Sequence, residues 1–381
     1  MQPTQWKYFD TLVRQDIAAI LETWREHQHQ AGTGVFALVC EQEREAVALL
    51  QQVAAALSMP LMGAVVPGLV AEARFWRRGI LLVAFDAATP RRIVPLPHVE
   101  NRTTDSAVES LADFVATHAD ENGDDTLLLL VDAMIPDLTS LLDRLYLEIG
   151  DQVNYAGTCV GSETFQSVPC LFDNEVLVEG AAFALLLRQH PGATLAHHYR
   201  GDEALWVATA TTGSHVDAID GKPAFEVYRE LMASEYGIDL DRENFYRYAV
   251  HFPFALNRAQ GESLVRIPVK VEPDGSVYCS GEVPENALLS VVRAVAPGSL
   301  KTAHEVGEGV RSRAASGVLA FYCAGRLMHL DEDAATAELS ALVRELAPAP
   351  LFGALCLGEI GSGRRQYPAF HNATIMALPW N

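Results

Sequence analysis

The sequence lacks long apolar runs, is short of cations and carries no familiar metal or nucleotide motif. No stretch reaches the roughly 18–20 apolar residues of a membrane span. The longest candidate, Val176 to Leu187, is interrupted by Glu179 and Gly180. Residues Met1 to Lys7 have neither the basic nor the apolar region of a secretory signal. Lys and Arg number 28 against 49 Asp and Glu, for a formal net charge of −21. Such a chain repels phosphate backbones and anionic headgroups, which excludes nucleic acid and membrane surfaces as partners. The six cysteines form no CxxC pair and no zinc-type Cys/His spacing. Free thiols in a reducing cytoplasm are expected. No Walker loop, HExxH or GxSxG occurs, and neither cofactor nor metal is expected.

What is present is globular. Apolar residues make up 49% and charged residues 20%, and 381 residues are enough for two ordinary domains. A passage is also written twice. Gly34-Val35-Phe36-Ala37-Leu38-Val39-Cys40 returns as Gly317-Val318-Leu319-Ala320-Phe321-Tyr322-Cys323. Pro60-Leu61-Met62-Gly63-Ala64, running on to Gly68, returns as Pro350-Leu351-Phe352-Gly353-Ala354, running on to Gly358. Matched glycines and prolines at fixed offsets mark one supersecondary unit used repeatedly.

The unit reads as β-α-β-β, with strands at 34–40, 61–66 and 79–85 around a helix at 41–57. It recurs more weakly over 126–187 and again over 317–378. A 3.6-residue apolar period from Trp6 to Trp24 predicts one helix over 3–31. Between the later units, Lys222 to Tyr236, Glu285 to Val295 and Ser299 to Arg313 read as helices, and Pro273-Asp274-Gly275 as a hairpin turn. The expected fold class is α/β of the mixed α+β kind. Repeated β-α-β-β units form mixed sheets under outer helices, in two pseudo-similar halves. The Gly/Asp/Ser cluster from Ser214 to Lys222 sets the boundary. It gives an N-terminal helix at 1–33, one domain at 34–217 and another at 218–381.

The last third is more specific. Leu319 to Arg326, the acidic helix with Glu338, Phe352-Gly353-Ala354, Gly358-Glu359-Ile360 and Phe370-His371-Asn372-Ala373-Thr374 together resemble the C-terminal FIST domain. Phe252-Pro253-Phe254 followed by Leu264-Val265-Arg266 resembles that domain's opening, and 34–187 is similar to the N-terminal FIST domain. The resemblance implies a sensory module for small ligands, amino acids or their derivatives, in signal-transduction proteins. Such modules are often fused to kinase, cyclase, chemoreceptor or F-box segments. No such segment is recognisable here, so the expectation is a stand-alone cytoplasmic sensor acting through an unidentified partner protein. In the first unit, Pro67-Gly68-Leu69 stands where a polar Gly-Glu-like ending is expected.

The C-terminal copy holds the candidate ligand residues. Cys323 ends a strand before a helix, where a cation and the helix start can lower a thiol's pKa; the plainer reading is a buried strand cysteine. Arg326 could grip a carboxylate with its planar fork, or simply pair with Asp331 or Glu332. Glu359, beside the glycine-rich loop from Gly361 to Arg365, could receive an ammonium group. Gly353 sits at the second strand, where ligands gather at strand ends. His371, Asn372 and Thr374 open the last strand, with Asn372 and Thr374 on one face and His371 on the other. Arg266 could add a second cation. The alternative readings are a thiol-dependent enzyme with Cys323 as nucleophile, His371 as base and Glu359 as orienter, and a protein-interaction scaffold.

Overall fold

The computed structural model describes residues 4–26, 32–96, 103–120, 124–201, 204–258, 263–313, 315–362 and 367–380, with the backbone only at 103–104 and 296–297. It is a mixed α+β fold with four sheets among the described residues.

Three of the sheets are copies of one plan. In each, a central strand runs parallel to its successor across a helix, and a last strand pairs antiparallel on the other side. The first copy uses Thr33–Cys40, helix Ala46–Ala56, Leu61–Val66 and Ile80–Asp86. The second uses Asp125–Asp132, Leu138–Ile149, Val153–Val160 and Ala181–Leu187. The third uses Gly317–Cys323, Glu332–Leu346, Leu351–Cys356 and Ile375–Trp380. The central strands are buried along nearly their whole length because helices cover one face and the other sheets cover the second. A leading strand and helix precede each copy: Trp6–Phe9 with Arg14–Glu26, Arg91–Pro95 with Thr103–His118, and Thr194–Ala196 with Ala296–Arg311.

The copies are interlocked by exchange. The hairpin Gly68–Ala71/Arg74–Trp76 leaves the first copy and extends the third copy's sheet, Val70 standing opposite Gly353. Strands Leu171–Asp173 and Leu177–Val178 of the second copy extend the first, Phe172 opposite Gly63. Strands Glu359–Gly361 and Ala369–His371 of the third extend the second, Ile360 opposite Gly157. The cycle is closed. One apolar core accordingly draws Phe36, Phe172, Phe183, Phe321 and Phe352 from all three.

A fourth, antiparallel sheet of nine strands is inserted between the third copy's leading strand and its helix, from Arg200–Gly201 to Leu288–Arg293. Helix Ala224–Tyr236 packs on it, with Pro223 just before its first turn. The hairpin Pro268–Val271/Val277–Cys279 turns at the expected Pro273-Asp274-Gly275.

Two local expectations differ. The helix read over 3–31 begins only at Arg14, because Trp6–Phe9 pairs with the open edge of Ile80–Asp86; residues 27–31 lie outside the described residues. The helix read at Glu285 to Val295 is a strand, Leu288–Arg293. There Val291 stands opposite Phe254 and Val292 opposite Gly201 on neighbouring strands, where β-branched side chains pack well.

Candidate functional site

The matched glycines explain how the parallel strands meet. Gly63, Gly157 and Gly353 lie opposite Ala37, Leu129 and Ala320. A Cβ on them would fall 2.1, 2.3 and 1.7 Å from those residues' carbonyl oxygens. Only glycine fits such close backbone approach. Gly353 therefore serves the sheet and does not line the clefts described below. Three residues past each carbonyl, the central strands end at Cys40, Asp132 and Cys323.

A cleft of about 490 Å³ opens at the Cys323 end. All four parts of the molecule line it: Arg77 from the first copy, Glu163 and Phe165 from the second, Cys323 and Met328 from the third, and Tyr246 and Ser280 from the insertion. A neighbouring cleft of about 480 Å³ shares Phe165, Ser280 and Leu357. Phe165 is held at φ 56° and is 38% exposed. A bulky aromatic in the left-handed region is uncommon and costs energy.

Beneath Cys323 lies Glu359, which is 0% exposed. Thr374 donates its hydroxyl to Oε2 at 2.6 Å and its backbone N–H to the same oxygen at 3.3 Å. The Cys356 thiol donates to Oε1 at 2.9 Å, and the Cys323 thiol adds a further hydrogen bond. Burial pushes the Glu359 carboxyl up to about 7, despite these donors pulling the other way. Asn372, 1% exposed, donates Nδ2 to Ser280 Oγ at 3.3 Å, while its Oδ1 has no partner.

A FIST N domain model matches residues 34–222, and a FIST C domain model matches 224–362. The chain belongs to the FIST family. FIST domains are associated with sensory signal transduction and small-ligand binding. No curated protein matches the FIST chain. A solved structure titled as cyanuric acid hydrolase from A. caulinodans aligns over 99% of both chains at 11% identity, with a TM-score of 0.34.

The other candidate residues of the FIST chain sit elsewhere than expected. Arg326 is 1% exposed, and its fork closes on Glu338 rather than on Asp331 or Glu332. Burial alone would lower Arg326; the Glu338 carboxylate overrides it and holds the guanidinium charged. Arg266 is also 1% exposed and donates to the carbonyls of Glu282, Val265 and Phe370. Both cations are therefore engaged in holding the fold together. Neither lines the clefts.

His371 stands opposite Glu359 in the strand register, but its Nε2 meets the Gly361 carbonyl at 3.3 Å. Burial, with Arg266 nearby, lowers its pKa to about 3, so the ring is neutral. The Cys323 sulfur accepts from the Ala373 N–H at 3.1 Å, and burial, with Glu359 nearby, pushes the thiol well up. No hydrogen bond joins His371 to Cys323, and neither pKa favours a thiolate–imidazole pair.

The structure thus brings Cys323, Glu359, Asn372 and Thr374 together and leaves Arg326, Arg266, Gly353 and His371 in supporting places. It adds Glu163, Phe165, Tyr246 and Ser280, which the sequence did not single out. The second copy's Gly161-Ser162-Glu163 falls at the same offset from its strand glycine as Leu357-Gly358-Glu359 does in the third. That offset was the signal available for Glu163. Tyr246 and Ser280 come from the insertion, where no repeat marks them. Among the described residues, no group of three or more His, Cys, Asp and Glu side chains could hold a metal, and no helix is long and apolar enough to cross a membrane.

Proposed function

We propose that this FIST protein is a cytoplasmic sensor that binds a small organic ligand in the Cys323 cleft and reports its occupancy to a partner protein. The observation that carries the reading is the cleft's construction from all three copies and the insertion. A ligand there touches every part at once, so binding energy can bias how they pack against one another. The mixed lining, apolar at Phe165, Ile267 and Met328 and polar at Thr164 and Ser280, suits a small organic molecule. The six buried free cysteines support a reducing compartment.

Thermal unfolding against a metabolite library tests this. A true ligand at a hundred-fold excess over Kd stabilises by about 2.7 kcal/mol. Thr164 is an exposed cleft residue, so Thr164→Trp fills the cleft without entering the core. Hits should stabilise the parent protein and not this variant. Equal stabilisation of both, or no hit with a folded protein, rules the cleft out as the ligand site.

A further inference from the structure

We propose that the cleft takes an organic amine: a ligand with an apolar body, one cationic ammonium group and no carboxylate. The inference rests on the cleft being the ligand site and names the chemistry of its occupant.

The first observation is what surrounds Glu359. The Cys323 and Cys356 thiols hydrogen-bond to it, and the Cys159 thiol and the Tyr199 phenol lie within its electrostatic reach; burial pushes all four up and keeps them neutral. Thr374 supplies its hydroxyl, and His371, across the strand pair, is a neutral imidazole. No basic group balances the carboxyl among the described residues facing it. A buried carboxylate without a counter-ion is strongly disfavoured and stays partly protonated until a cation arrives. Cys323 joins this group to the cleft, hydrogen-bonded to Glu359 and also lining the cleft.

The second observation is the fate of the cations. A carboxylate ligand needs a free guanidinium or ammonium. Arg326 is closed on Glu338, Arg266 on three backbone carbonyls, and Arg77 at the rim on Glu163 at 2.9 Å. Among the described residues lining the cleft, Arg77 is the one cation, and it is already paired. The cleft thus offers a carboxylate no unpaired cation among the described residues that line it.

The third is the wall. Phe165 and Tyr246 offer aromatic faces of the kind that attract ammonium groups, and Met328 offers a soft apolar surface. Ser280 presents a hydroxyl, with the unpartnered Asn372 Oδ1 behind it. An ammonium group donates and never accepts, so acceptors are what it needs.

Binding then draws the proton off Glu359 into solvent, leaving a carboxylate facing the ammonium across the Cys323 sulfur. With the carboxyl near 7 in the free protein, about half a proton leaves per ligand at pH 7, and affinity rises about tenfold from pH 6 to pH 8.

Calorimetric titration of the full chain tests this with 2-phenylethylamine and shorter alkylamines, set against 2-phenylethanol, 3-phenylpropionate and phenylalanine. Runs at pH 6, 7 and 8 in buffers of differing ionisation enthalpy count the protons. At least one amine should bind tenfold or more tighter than the alcohol, the acid and the amino acid, with the stated proton release. Glu359→Gln should flatten the pH dependence; if that variant does not fold, the proton count on the parent protein decides. Equal or tighter binding of the acid, amino acid or alcohol overturns the amine while leaving the cleft as ligand site. PH-independent amine binding without proton release, or no amine binding at all, overturns it as well. Amine binding that persists in Thr164→Trp instead refutes the cleft reading on which it rests.

Discussion

Arg326 and Glu338 meet inside the protein as a two-pronged ion pair, Nε to Oε2 at 2.8 Å and Nη2 to Oε1 at 2.5 Å. The rest of the guanidinium is also used: Nη1 donates to the carbonyls of His197 and Ala373, and Nη2 to Thr302 Oγ1. Tyr322 donates its hydroxyl to Glu338 Oε2 at 2.6 Å. One side chain thus ties two helices, the last strand's entry and the start of the insertion. Arg326→Met should cost about 3–5 kcal/mol in urea unfolding, because it strands a buried carboxylate. Adding Glu338→Leu should recover a large part of that loss. A single variant with stability close to the parent's would show that the pair is not needed.

The strand glycines make a sharper test. Alanine at Gly63, Gly157 or Gly353 places a Cβ 1.7–2.3 Å from a backbone carbonyl that cannot swing aside. Each substitution should cost about 3 kcal/mol or more, with Gly353→Ala the worst. Alanine at Gly150, whose Cβ would meet nothing within 4 Å, serves as the packing control, though its φ of 55° adds some strain. Soluble expression and melting temperature are the readouts.

Exchange of strands between the copies bears on the family's two domains. The hairpin Gly68–Ala71/Arg74–Trp76 belongs to the N-terminal match yet completes the sheet of Gly317–Cys323. Glu359–Gly361, from the C-terminal match, completes the sheet of Val153–Val160. Chains cut between 222 and 224 should therefore each show poor amide-exchange protection alone and regain it when co-expressed. Two halves that each melt cooperatively in isolation would refute this.

Acid and base act on the fold with opposite sign. Glu359, raised by burial from 4.5 to about 7, favours the folded state below pH 4.5 and loses that contribution as pH climbs through 7. Glu359→Gln should remove about 2–3 kcal/mol of the stability change between pH 5 and pH 8. His190, bonded between Thr126 Oγ1 and the Pro379 carbonyl, runs the other way. Burial lowers it from 6.5 to about 4, so its contribution is present above pH 6.5 and fades as pH falls through 4. Chemical denaturation across pH 4–8 checks both; an identical profile for parent and Glu359→Gln would contradict the first.

Much of the scaffold was legible in advance because periodicity and glycine placement are local properties. The doubled passages at Gly34–Cys40 and Gly317–Cys323, the weaker middle copy and the Pro273-Asp274-Gly275 turn all reappear as read. Leu288–Arg293 and Trp6–Phe9 were misread as helical because an apolar run too short to show its period takes its form from whichever strand edge lies open beside it.

The site divides along the same line. Cys323, Glu359, Asn372 and Thr374 could be picked from the sequence because they cluster at the ends of recognisable strands. Their pairing could not. Arg326 looked like a ligand's anchor until a carboxylate twelve residues along the chain closed on it, and Glu359, placed beside a glycine-rich loop, turned out to be fully buried. Residue type and local period settle most of the longer elements and where chemistry can stand. Whether a charge meets a partner, a ligand or nothing depends on contacts between segments far apart in the chain, such as Arg77 with Glu163, 86 residues apart, and Thr158 with Gly358, 200 apart, and those exist only once the three copies have exchanged their strands.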